Sequence, residues 1–138
     1  MEEKNVKSTF AGEASEMVAA IFNMLDIYTE ELTELERQII SAFSFGMING
    51  AAMEEGADPM TVQGTMAGVL IRQFGYSENQ AVDFMQQLIE STNREFHPTM
   101  YVIIHRGLEG YYDYRDQQYS LVHENLTDII DTIVTSND

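Results

Sequence analysis

Residues Gly110–Tyr119, GYYDYRDQQY, hold four tyrosines and two aspartates within ten positions. That composition suits recognition better than reaction. A tyrosine offers a large rigid ring with a polar tip, and fixing it removes little side-chain entropy. Aspartates beside such rings can pair with Arg or Lys on a partner. Four rings cannot all face one core from a single helix or turn. Tyr111, Tyr112, Asp113, Tyr114 and Asp116 are therefore candidate partner-contact residues, with Glu109 as part of a steering acidic rim. The alternative is that two rings cap the core and the others keep their tips in water. Residue types leave both readings open.

Other chemistries find less support. His105 and Glu109 lie one turn apart on a helix, so both could face one metal ion. Yet the Glu-x-x-His motif of helical di-metal sites is absent from the chain, and His123 and Glu124 point to different faces. The simpler expectation for His105 is a hydrogen-bonded histidine at the core boundary, paired with Glu109. Among 23 acidic residues, neighbours such as Glu30–Glu31 and Glu54–Glu55 are inevitable and mean little. Serine and threonine nucleophiles need a base, and three histidines in ordinary contexts are weak support. Without cysteine there is no disulfide, thiol nucleophile or thiolate metal site. No Gly-rich phosphate loop is present, and Glu54–Asp58 does not make a calcium loop. No catalytic, cofactor-binding or metal-binding residue is assigned, and no cofactor is expected.

The charge is the strongest constraint on partners. Against the 23 acidic residues stand 7 basic ones, a net charge of -16. Such a field repels nucleic acid and anionic membrane and attracts basic surfaces, or is tolerated for solubility. Arg37, Arg72, Arg94, Arg106 and Arg115 are scattered singly, so no basic patch is available to neutralise phosphates. The start, MEEKNVKSTF, lacks an apolar signal core. No stretch approaches the length of a membrane-spanning helix. A cytoplasmic location is expected.

The elements that must position these residues are helical. Residues 1–9 read as a flexible polar tail and residues 10–138 as a single helical domain. Met17, Val18, Ile21, Phe22, Leu25 and Tyr28 form one apolar stripe, predicting a helix from Gly12 to Tyr28. Thr33 with Glu36 is a capping box opening a second helix, which Gly56 ends. Asp58-Pro59 opens a third, with Val62, Met66, Val69, Leu70 and Phe74 inward. Ser77 with Gln80 opens a fourth, carrying Val82, Phe84, Met85, Leu88 and Ile89. Pro98 opens a fifth with Tyr101, Val102, Ile104, His105 and Leu108 apolar-side, and the last helix begins near Tyr119. Met17, Met24, Met47, Met53, Met66 and Met85 fall at helical spacing and read as core. Gly46 and Gly50 inside the second helix each cost about 1 kcal/mol, which points to a closely packed neighbouring helix; the alternative is a break near Gly50. The fold class is all-α, a single compact domain of about six helices.

Two of these segments carry a family resemblance. Phe43-Ser44-Phe45-Gly46-Met47-Ile48 and Met100–Gly110, MYVIIHRGLEG, resemble the bacterial immunity protein family Imm48. Phe74–Ser77 and Gln87–Thr92 fall between them in the matching order, and the resemblance spans roughly residues 35–115. Phe45, Gly46, Met47, His105, Arg106 and Gly107 belong to the matched motifs, where a structural role is open to them, with Arg106 and Glu109 as a local ion pair. The resemblance implies a small helical protein that shields a bacterium from a polymorphic toxin by stoichiometric inhibition rather than catalysis. It implies a cognate toxin as partner, and the acidity of this chain independently suits a basic one. It does not locate the toxin-facing surface. Two other classes fit the residues: an acidic adaptor or DNA-mimic regulator of another basic protein, and a small helical metal-binding protein or enzyme. A homodimer is also compatible with the sequence.

Overall fold

The computed structural model describes the backbone of residues 2–136 and the side chains of residues 10–136. Among them all regular structure is helical: α1 (Glu2–Leu25), α2 (Glu34–Glu55), α3 (Pro59–Arg72), α4 (Glu78–Glu90), α5 (Pro98–Arg115) and α6 (Tyr119–Ser136). A single 3-10 turn, Thr29–Glu31, joins α1 to α2.

Local side-chain chemistry starts four of these helices. Thr33 Oγ1 accepts from the Glu36 amide at 3.1 Å while the Glu36 carboxylate accepts from the Thr33 amide at 2.8 Å. Ser77 and Gln80 repeat the exchange at the head of α4. Before the two prolines, Asp58 accepts from the Thr61 amide and His97 Nδ1 from the Met100 amide. Each bond satisfies an amide that has no partner within its own helix.

Helix ends are less uniform. Gly56 closes α2 at φ 74°, a left-handed conformation that is cheapest for glycine. Asp26 and Gln117 adopt the same region at φ 53° and 62° after α1 and α5. Non-glycine residues enter it at a cost; because Asp26 takes it, α1 stops at Leu25 and not at the predicted Tyr28, whose side chain is exposed. The helix also begins at Glu2, ahead of the predicted Gly12. The apolar stripe that marks it in sequence begins only at Phe10, but acidic residue types suit a helix N-terminus.

The fold is organised around α2, whose residues 39–48 are buried without interruption; a helix apolar all round sits inside its bundle. Its main neighbour is α5, with α6 packed on α5, α3 on α4, and α1 on α2, α3 and α6. Gly46 and Gly107 mark the α2–α5 contact. A Cβ on Gly46 would lie 2.0 Å from the Ile104 carbonyl oxygen, and one on Gly107 2.1 Å from that of Phe43. The close neighbour expected for Gly46 and Gly50 is thus present, and α2 continues unbroken to Glu55. All five residues predicted inward for the third helix are buried, although α3 ends at Arg72 and Phe74 lies just beyond it.

Some apolar residues lie elsewhere than predicted. Val82, Val102 and Met53 are exposed, and His105 is exposed as well. On α4 the inward residues are Ala81, Phe84, Met85 and Leu88, which leaves Val82 on the flank. On α5 they are Met100, Ile103, Ile104, Gly107, Gly110 and Tyr111, so positions 102 and 105 turn away. Small glycines on the inward face had concealed its true centre.

Candidate functional site

The contacts between α2 and α5 advance together: Gly46 meets Ile104, Gly50 meets Tyr111, and Glu54 meets Arg115. The two helices therefore run in the same direction, and their C-terminal ends lie side by side. Each such end carries the negative pole of a helix dipole. The chain adds Glu54 and Glu55 from α2 and Asp113 and Asp116 from α5 or its cap. Acids at a helix C-terminus oppose its dipole, so this concentration of negative charge is not explained by helix stability.

The four rings of the segment divide. Tyr111 is 4% exposed, and its hydroxyl donates to Glu54 Oε1 at 2.7 Å. Tyr112 is 37% exposed and stands edge-on to Tyr111 with centroids 5.3 Å apart. Tyr114 packs partly against the core and edge-on to the exposed Tyr119 at 5.5 Å. Arg115 is the local counter-cation: Nη1 pairs with Glu54 Oε2, Nε lies 3.1 Å from Asp116, and the guanidinium sits 5.0 Å from the Tyr112 ring centre. Tyr111 and Tyr114 cap the core, while Tyr112 and Tyr119 face water, as the second alternative for the segment expects.

The ionisation of these groups follows their neighbours. The Tyr111 hydroxyl and Arg115 hold the Glu54 carboxyl below the usual range. Burial, then the Glu54 carboxylate, pushes Tyr111 up. Across from them on α1, Glu13 is pushed up to about 7. Burial is the main cause, followed by a hydrogen bond shared with Glu55 and repulsion from Glu55, Glu16 and Glu54. Carboxylates from α1 and α2 thus surround the rings of α5.

A second flank lies between α5 and α6. Glu109, Asp113, Glu124 and Asp128 line a groove of about 520 Å³ with Arg106, Asn125 and Leu121. Arg106 does not pair with Glu109. Its Nε donates to Asn125 Oδ1 at 2.5 Å and its Nη2 lies 3.4 Å from Asp128, because these α6 residues face it across the helix pair. Glu109 and His105 are not paired either among the described residues; the His105 ring lies tilted against Tyr101, with centroids 4.9 Å apart. Nor is any group of three or more His, Asp or Glu placed to hold a metal ion among the described residues. No helix of the described residues is long and apolar enough to cross a membrane.

The candidate residues therefore occupy two flanks of one acidic end. Glu109 and Asp113 face the α5–α6 groove, while Tyr111, Tyr112 and Asp116 gather around Glu54 and Arg115, with Tyr114 on the core side. Of the motif residues, Phe45, Met47, Gly46 and Gly107 are buried at or beside the α2–α5 contact. His105 lies on the exposed side of α5 and Arg106 faces α6. Sequence reasoning missed Glu13, Glu54, Glu55, Glu124 and Asp128 as members of this surface. The Gly46-x-x-x-Gly50 and Gly107-x-x-Gly110 spacings were the available signal, since they bring the two helices together.

Comparison with known proteins supplies the context for this acidic end. No curated protein and no solved structure matches the chain. A family model described as immunity protein 48 matches residues 10–134, nearly the whole chain and both helices that the sequence resemblance left uncovered. Proteins of this kind neutralise toxins and are generally not enzymes. The chain belongs to the Imm48 immunity protein family.

Proposed function

We propose that this chain neutralises its cognate toxin by stoichiometric binding, using the acidic end built from α2 and α5 against a basic face of the toxin. The observation that carries this reading is the parallel pairing of α2 and α5, which links Glu54 and Asp116 through Arg115 beside the exposed ring of Tyr112, with Glu55 at the end of α2 and Asp113 on the α5–α6 flank. Tyr112 supplies apolar contact area, Asp113, Asp116 and Glu109 supply charge, and Tyr111 with Arg115 holds Glu54 in place from behind. Complementary charge speeds encounter and selects partners. A fast encounter matters for an inhibitor that must capture a toxin before it acts.

The test is purification of the tagged chain from its own cells at low salt, with identification of what co-purifies. The expected result is a one-to-one complex with a basic protein bearing a toxin domain, released as salt rises. Co-expression of the chain should restore growth to cells producing that domain. A complex indifferent to salt would overturn the electrostatic mechanism, and failure to restore growth would overturn inhibition.

A further inference from the structure

Two adjoining grooves of this acidic molecule are lined by uncharged residues alone. No Asp or Glu occurs between Asp58 and Glu78, so α3 is free of acids, and its one basic residue, Arg72, is the last of the helix. The exposed side of α3 meets α4 in a groove of about 360 Å³ lined by Met60, Gln63, Gly64, Val82, Gln86 and Ile89, among other uncharged residues. A second groove, of about 260 Å³, continues it past Gln63 and Ile89 toward α2, and again no lining residue is charged. The acids of α4, Glu78, Asp83 and Glu90, line neither groove. By contrast, the grooves along α6 carry Asp128 or Asp131.

Two apolar side chains on this face are open to solvent. Met60 is 83% and Val82 64% exposed. Gly64 sits inside α3, yet a Cβ there would meet nothing within 4 Å. Gly46 and Gly107 are small because a neighbouring helix presses on them. Packing among the described residues supplies no such reason for Gly64.

We propose that the α3–α4 face is a homodimer interface, occupied by the same face of a second copy. Charge decides the occupant. In a two-fold interface a surface meets itself, so any patch with net charge repels its own image. With a net charge of -16 per chain, copies meet least repulsion where the contact is lined by uncharged residues. A basic toxin gains nothing electrostatically here and is drawn to the acidic end, which shares no residue with this face. Met60 and Val82 insert as apolar knobs, Gly64 admits the partner helix, and Gln63 and Gln86 pair reciprocally across the axis. Methionine suits such a surface because its flexible thioether adapts to a second packing.

Sedimentation equilibrium on the full chain over a dilution series, at low and high salt, tests this. The mass should move from 15.7 kDa toward twice that value as concentration rises. Salt should tighten the association, because it screens the mutual repulsion of two acidic chains; toxin binding has the opposite salt dependence. Met60→Glu and Val82→Glu, both at exposed positions, should each leave helicity unchanged, and melting unchanged at dilutions where the chain is single. Each should weaken association by at least about tenfold, since like charges then meet across the axis. Val102→Glu, on the exposed side of α5, should leave the mass curve unaltered. A single-chain mass throughout the series would overturn the proposal, as would a dimer that neither variant weakens or that Val102→Glu disrupts.

Discussion

The Tyr111 hydroxyl donates to Glu54 Oε1 at 2.7 Å, linking residues 57 positions apart. Glu54 lies in the last turn of α2, against the dipole of its own helix. Tyr111 and Arg115 offset that placement by holding the charged carboxylate from two sides. The pair also joins the interior to the surface, since Tyr111 is buried while Glu54 is exposed. Tyr111→Phe should lower stability by about 1 kcal/mol, less than for a fully buried bond to a charged acceptor because water replaces the hydroxyl on Glu54. Urea unfolding checks this: the midpoint should fall with the slope unchanged.

The glycines separate two causes. Gly46→Ala and Gly107→Ala each push a methyl into backbone at 2.0–2.1 Å, and moving two helices apart should cost more than about 3 kcal/mol. Gly64→Ala meets nothing and should raise the stability of the dilute, single-chain protein by about 0.5–1 kcal/mol through helix propensity alone. Thermal unfolding of the three variants at low concentration should order them in this way. Equal effects at Gly46 and Gly64 would contradict the close α2–α5 contact.

Glu13 should give the stability a distinct pH dependence. Its folded pKa of about 7 lies above the ordinary value of 4.5, so the folded state binds the proton more tightly. The associated stability is complete below the ordinary value and is lost as pH rises through about 7. Glu34 and Glu54 are shifted down and act in the opposite sense, with stability lost on acidification. Glu13→Gln isolates the first effect. It should be close to neutral at pH 4 and stabilise by about 1–2 kcal/mol at pH 8, after allowance for partial solvent screening. Urea unfolding of both proteins across that range measures the difference, and a gain that does not grow with pH would refute the assignment.

The exposed part of the tyrosine segment should matter for binding and not for folding. Tyr112→Ala combined with Asp113→Ala removes one surface ring and one groove acid. The melting temperature should change little. Affinity for the cognate toxin should fall by at least about tenfold, the scale of truncating an interface anchor. Calorimetric titration measures it; unchanged affinity would remove the acidic end of α5 from the inhibitory surface while leaving toxin neutralisation intact.

The amino-acid sequence by itself determined the helices and most of their boundaries. Thr33–Glu36, Ser77–Gln80, Asp58-Pro59 and His97-Pro98 start helices through bonds that reach only three residues along the chain. Gly56 stops α2 through its own backbone freedom. The inward stripe of α3 and the motifs around Phe45-Gly46-Met47 and His105-Arg106-Gly107 are equally local. The ends of α1 and α5 were not legible, because Asp26 and Gln117 take the left-handed conformation without the residue type that announces it. Tertiary structure decided which charges meet. Glu54–Glu55 looks like any adjacent acidic pair until α2 and α5 run in the same direction and bring Tyr111, Arg115 and Glu13 to it. Arg115 and Glu54 are 61 positions apart, and Coulomb interactions depend on distance in space. That distance is set by two glycine-lined helix surfaces closing on one another, with α3 and α4 between them in the chain.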